Sequence, residues 1–400
     1  MYRYLKDDLG VEAAVVGTQV GCSSPVLMAG LDAVDTHAYW QHPQFPAKPW
    51  DSANWFVNNV SMVTEPGGVL TRLAMARVAG KPHLVTEYNH SAPNTYSAEA
   101  PLLLAAFAAL QDFDGVFLFS YSHRNDDWDA DTFANFFDID RHTTKMANLP
   151  IAAAMFLRAD VSPAAKQVTA ALAPRDESEL IRRHGRPWNV LNGEALGASP
   201  ETALIHRVAI DLSGGPSGAG TARPSDAELA QLKTFVSDTS QFIWHAGDRA
   251  GQAVIVNTPR TKAVVGFTDG GEFDLAGVTI RPGRSRQGWS TIALTLTEGE
   301  EFAGPGRALL VATGTVENTD MGWKNAAKST VGRDWGHGPT RVEGIDATIT
   351  LPAKAADVTV WALDERGQRN GEVKVEDTAG HASFRIAPEH QTIWYEIAIR

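Results

Sequence analysis

Two grammars of hydrophobic and polar positions succeed one another along this chain. Up to about residue 160, short and almost continuous apolar runs alternate with stretches of helical period. The runs are "VEAAVVGTQ" at 11–19, "DAVDTHAYW" at 32–40, "HLVTE" at 83–87 and "GVFLFSYS" at 115–122. Apolar runs of this length predict strands covered on both faces, as in a parallel sheet. Between them, residues 2–9 read as the tail of a helix closed by Gly10, and 26–31 and 66–79 carry helical spacing, the latter ending at Gly80. "SAEAPLLLAAFAALQDF" at 97–113 predicts a longer helix with Ser97 as N-cap, and "LPIAAAMFL" at 149–157 another. Strand and helix in alternation mean βα units and a parallel sheet, four units in about 160 residues.

From about residue 161 the period shortens. Segments such as "ALIHRVAIDL", "QAVIVNTP", "KAVVGF", "STIALTLT", "RALLVATG", "ATITL", "DVTVWAL" and "TIWYEIAI" follow each other between turn signals, among them Asp269-Gly270-Gly271 and Glu365-Arg366-Gly367. This pattern predicts an antiparallel β-sandwich of one or two modules over 161–400, with 213–225, "SGGPSGAGTARPS", as a linker or surface loop. No repeat of solenoid period is present.

Composition narrows the function classes. With 44% hydrophobic and 20% charged residues the chain reads as soluble and globular, and its net charge of −12 offers nucleic acid no basic footprint. A single cysteine, Cys22, excludes an internal disulfide and a cysteine-based metal site. No run of signal-peptide type opens the chain and none has the length of a membrane span. Localisation therefore stays open, with secretion or a periplasmic address expected only if a leader lies upstream. No cofactor or resident metal is expected: the acidic run Asp126, Asp127, Asp129, Asp131 lacks the Gly and closing Glu of a calcium loop and reads as solvated.

The candidate chemistry sits where the parallel strands end, because the C-terminal rim of such a sheet gathers residues distant in sequence. Gln19, His37, Glu87 and the pair Ser120 and Tyr121 end the four strands. Glu87 is followed at once by Tyr88, Asn89 and His90, His37 by Tyr39 and Trp40, and Tyr121 by Ser122 and His123. Trp40, Trp50, Trp55 and Trp128, four of eleven tryptophans, fall at strand ends or in rim loops, where indole rings stack on sugar faces. There is no G-x-S-x-G elbow, no H-E-x-x-H and no glycine-rich phosphate loop between a strand and a helix.

Strands ending "DTHAYW", "HLVTEYNH" and "GVFLFSYSH", in that order, resemble the second half of a clan A retaining glycoside hydrolase barrel, the clan of the family-five cellulases. The resemblance implies a partial (β/α)8 TIM barrel, about four C-terminal βα units over 1–160, followed by an accessory sandwich of the kind found in bacterial enzymes. It implies Glu87 as nucleophile, and His37 and Tyr39 as its neighbours from the preceding strand. Gln19, Trp40, Tyr88, Asn89, His90, Tyr121, His123 and Trp128 become substrate contacts, and Tyr121 stands where the clan places an aromatic floor, frequently Trp. The implied partner is a carbohydrate, a β-linked glucan or mannan suiting the Trp-rich loops. The clan's acid/base Glu, in an Asn-Glu pair ending the fourth strand, would fall before residue 13, and no such pair is there. The chain thus reads as a C-terminal piece that hydrolyses poorly alone and whose open sheet edges invite a homodimer. The alternative is a carbohydrate-binding or structural protein in which such a barrel no longer catalyses.

Overall fold

The computed structural model describes the whole chain except Gln19, Asn125, Asp127, residues 217–225 and Ala230. The sequence-predicted linker at 213–225 therefore lies mostly outside the described residues. The protein is a mixed α and β structure with extensive antiparallel sheet, and its parallel sheet is open: no closed barrel forms among the described residues.

Three parallel strands stand in the order β1 (Val34–Trp40), β2 (His83–His90) and β3 (Gly115–Leu118). The expected first strand at 11–19 is reduced to one bridge, Val16 to Ala33. Glu12 and Gly17 interrupt a run too short to extend the ladder, so four predicted strands become three. Gln19, which was to end that strand, lies outside the described residues. Helix α1 (Pro25–Ala29) precedes β1, with Ser24 capping it through its hydroxyl, and α2 (Leu70–Met75) precedes β2. α3 (Glu99–Leu110) joins β2 to β3 and is buried along every residue. Ser97 does not cap it: Ala98 holds that position, and the Ser97 hydroxyl donates to the Asn94 carbonyl at 2.5 Å. α4 (Thr143–Leu157) begins six residues before the apolar run that predicted it, since Thr144, Lys145 and Asn148 are buried polar residues that hydropathy assigns to a loop.

The change of grammar at residue 161 does not start the antiparallel part. β4 (Gln167–Ala171) and β5 (Arg207–Asp211) pair in parallel, and Ile210 exchanges backbone hydrogen bonds with Arg77 and Ala79 beside α2. The segment "ALIHRVAIDL" was expected as antiparallel; a short parallel pair and an antiparallel strand share the same apolar run, and only the partner tells them apart. Apart from the isolated bridges of Gln44 with Phe56 and Arg186 with Asn189, antiparallel pairing among the described residues begins with Thr234–Val236.

Nine strands then form one sheet and five form another. Ile292, Leu294 and Leu310 of the larger sheet meet Ile280, Ile349 and Phe384 of the smaller, which makes the sandwich. The opposite face of the nine-stranded sheet is also covered, because Phe242, Trp244, Val265, Ala293 and Val311 share a core with α3 and α4. Antiparallel sheets commonly leave one face to water. Here Thr261–Phe267 is buried at every position. Trp244 has no exposed surface. A ring of that size buries ~150–250 Å², roughly 4–6 kcal/mol at ~25 cal/mol/Å². Trp394 and Trp244 also donate their indole N–H groups across this boundary, to Ala147 and Val63 carbonyls.

A hairpin of Val316–Thr319 and His337–Val342 leaves the sandwich and returns to the rim loops. Trp335 stacks on Trp55 with ring centroids 5.5 Å apart, the Trp55 indole donates to the Gly332 carbonyl, and Asn318 donates to the Phe133 carbonyl. Among the described residues no helix is long and apolar enough to cross a membrane.

Candidate functional site

β1 and β2 run side by side with one irregularity. Thr36 lies opposite Val85 and His37 opposite Glu87, so Thr86 is an extra residue in β2. The same surplus shows against β3, where Val85 faces Val116 and Tyr88 faces Leu118. A bulge of this kind re-aims side chains that strict alternation would send to opposite faces. It places Thr86 and Glu87 on one face with Asp35, His37 and Tyr39. The other face, carrying Ala38, Trp40, Val85 and Tyr88, enters the core.

On the first face a short hydrogen-bond chain converges on Glu87. The Tyr39 hydroxyl donates to Glu87 Oε2 at 2.5 Å, and His37 Nδ1 lies 3.3 Å from the same oxygen. His37 Nε2 lies 2.6 Å from the Thr86 hydroxyl and 3.3 Å from Asp35 Oδ2, while Thr86 donates to Asp35 Oδ1 at 2.6 Å. Asp35 is thus the buried anchor of the chain, and His37 stands between it and Glu87. Burial first, and then the bond to Glu87, raise Tyr39 well above the ordinary tyrosine range, so it stays a donor. Glu87 keeps a third of its side-chain surface exposed, and among the described residues its Oε1 has no hydrogen-bond partner. One carboxylate oxygen is therefore clamped and the other is offered to solvent.

Aromatic rings wall this carboxylate. Tyr39 contacts Phe137 at 5.0 Å, His42 at 5.5 Å and Phe119 at 6.2 Å between ring centroids. Trp50 extends the wall outward, 5.9 Å from His42 and largely exposed. Phe119 and Phe137 are fixed from behind by Asn89, whose amide donates to both of their carbonyls at 2.5 and 2.6 Å. Asn89 in turn accepts from the Lys145 ammonium at 2.6 Å, and Lys145 also donates to the His90 carbonyl at 2.6 Å. Lys145 is buried, and burial, opposed by the Asp138 carboxylate, lowers its pKa to about 7.

The sequence-predicted residues divide accordingly. Glu87, His37 and Tyr39 come together. Trp40, Tyr88, Asn89 and His90, expected as substrate contacts, are buried. β2 does not end at Glu87 but runs on to His90, so these side chains alternate into the interior rather than opening into a loop. Trp40 donates to the Val60 carbonyl. Tyr88 and His90 bond each other at 2.8 Å, and His90 Nδ1 lies 3.5 Å from the buried Glu99, which accepts from Ser61 and from the Met62 amide. Burial lowers the His90 pKa, with Glu99 opposing it. Trp55 is buried as well. Tyr121 and Trp128 are both more than half exposed. His123 sits on the rim beside Phe119, their ring centroids 5.4 Å apart.

Sequence reasoning missed His42, Phe119, Phe137, Asp35, Thr86, Asp138 and Lys145. Asp35 and Thr86 had a signal, since each lies one or two residues from a named histidine or glutamate on a predicted strand. Asp138 and Lys145 had none, as both fall in a polar stretch that reads as solvated loop. Compared with protein-family models and with curated proteins, the chain matches none.

Proposed function

We propose that this protein is a glycoside hydrolase acting by retention on O-glycosidic bonds of a β-linked saccharide, with Glu87 as nucleophile. The observation that carries the reading is the asymmetric clamp on Glu87: Tyr39 donates to Oε2, with His37 Nδ1 3.3 Å from the same oxygen, while Oε1 has no hydrogen-bond partner among the described residues. A carboxylate so held is aimed, which a nucleophile at an anomeric carbon needs. The aromatic wall of Tyr39, Phe119, Phe137 and Trp50 beside it suits the apolar face of a pyranose. A partial (β/α)8 plan accounts for β1, β2 and β3 in parallel with the helices outside them. The unpaired edge of β3, with Phe117 more than half exposed, favours a homodimer.

A retaining enzyme uses a second acid about 5–5.5 Å from the nucleophile to protonate the leaving oxygen. Asp35 cannot serve, being buried beneath His37 and committed to it and to Thr86. Activated aryl glycosides, which leave without a proton, report on Glu87 alone. Incubation with a panel of dinitrophenyl glycosides should release one equivalent of phenolate per chain in a burst. Glu87→Gln should abolish that burst. A chain that releases no phenolate from any member of the panel, or whose Glu87→Gln variant keeps the burst, refutes the reading. The outcome that would favour a non-catalytic carbohydrate-binding protein is binding of the same glycans by calorimetry without release.

A further inference from the structure

The rim carries a second constellation that the clamp on Glu87 does not use. His123 Nδ1 lies 2.5 Å from Asp138 Oδ1. Asp138 is itself fixed: Ser120 donates to the same oxygen at 3.1 Å, Asn135 donates to Oδ2 at 2.5 Å, and the Asp138 amide is held by the Asn135 side chain at 2.8 Å. Its side chain is only 6% exposed, whereas that of His123 is 52% exposed. Burial alone would raise the Asp138 pKa, but the bonds from His123, Asn135 and Ser120 outweigh it and keep the carboxyl below its usual range. A buried anion fixed on Nδ1 sets the ring orientation and leaves Nε2 as the nitrogen facing outward, without a partner among the described residues. Ser120 lies against Nδ1 rather than donating to Nε2, so this is not a serine nucleophile with its base.

The dyad is tied to the clamp through Phe119. Its ring touches both His123 and Tyr39, and its carbonyl is held by Asn89, two residues beyond Glu87 on β2. We propose that His123, oriented by Asp138, is the proton donor and acceptor that complements Glu87. This rests on the glycosidase reading above. In the first step a Glu87 oxygen bonds the anomeric carbon as the bond from that carbon to the leaving oxygen breaks, and the proton on His123 Nε2 passes to that oxygen. In the second, neutral Nε2 takes a proton from water. The water oxygen bonds the anomeric carbon, the ester bond to Glu87 breaks, and the carboxylate is restored.

The test separates the two steps and the two claims. His123→Asn retains a donor toward Asp138 and its fold is checked by circular dichroism and thermal melting. With a dinitrophenyl glycoside that the parent chain accepts, this variant should keep the burst, because that leaving group needs no acid. Its steady-state rate should fall by about 10²–10⁴-fold, the usual worth of general acid–base help. Azide, a nucleophile that needs no base, should restore much of the steady state. With the matching methyl glycoside, turnover by the parent chain should exceed that of the variant by a similar factor. An unchanged steady state, or a loss of burst and steady state together, overturns the role of His123 while leaving Glu87 intact. A parent chain that gives no burst, or a burst that survives Glu87→Gln, overturns the nucleophile assignment and this inference with it.

Discussion

Lys145 offers a measurement that depends only on the structure. Its ammonium is buried against Asn89 Oδ1 and the His90 carbonyl, and its pKa falls from 10.5 to about 7. A lysine whose folded pKa lies below its unfolded value binds more protons when unfolded, throughout the interval between the two. Stability then rises with pH across that interval, by up to about 1.4 kcal/mol per pH unit. The full span, from 10.5 to about 7, corresponds to about 5 kcal/mol that the folded protein lacks at pH 6 and regains by pH 10.5. Between pH 7.5 and 9.5 the expected gain is roughly 2–3 kcal/mol. Lys262, lowered to about 8, contributes in the same direction, so the wild-type curve alone does not isolate Lys145. Urea denaturation of wild type and Lys145→Met at half-unit steps does. The variant leaves Asn89 Oδ1 and the His90 carbonyl without their donor, a pH-independent loss of about 1–3 kcal/mol for each such group. It also removes the titration. Its stability relative to wild type should therefore be highest near pH 7 and decline steadily toward pH 9.5. Parallel curves for the two proteins over that range would refute the argument.

Three further outcomes follow from named bonds. Tyr39→Phe removes the bond to Glu87 Oε2, and losing about 1.5–3 kcal/mol of that stabilisation in the transition state should lower the burst rate with a dinitrophenyl glycoside roughly 10–150-fold. Glu99→Gln leaves one of its two partners, Ser61 or the Met62 amide, facing a donor in a fully buried site, and urea titration should show a loss of about 1–3 kcal/mol. Thr86→Val removes the hydroxyl that bridges Asp35 and His37, leaving only their direct 3.3 Å contact, and should loosen the clamp on Glu87, lowering the burst rate while leaving Trp50-side binding of a non-hydrolysable glycan unchanged.

How much of this was legible in the chain depended on range. β1, β2 and β3 were legible because buried strands leave apolar runs whatever their partners. The meeting of His37, Tyr39 and Glu87 was legible because adjacent parallel strands in near register bring their ends together. Thr86 was not, since a bulge leaves no mark in hydropathy and strict alternation would send Thr86 to the face opposite Glu87. The orientation of β4 and β5 was hidden for a related reason: pairing direction is decided by which distant strand completes the ladder, here through Ile210 beside Arg77 and Ala79. Lys145 reads as a surface cation in any local window. Only the carbonyls and amide of β2, fifty-five residues away, make its burial tolerable.

The nine-stranded sheet has a consequence for evolution and engineering. A sandwich at one end of a chain is easily taken for a separable unit. This one supplies the floor on which α3 and α4 rest, through Phe242, Trp244, Val265 and Val311, and it sends a hairpin back to brace Trp55 and Phe133 at the rim. A chain shortened ahead of Thr234 would leave that helical layer facing water with nothing to replace it. Recombination within such an architecture must therefore exchange both halves together, and substitutions on the inner face of the sheet can reshape the rim without touching a residue of β1, β2 or β3.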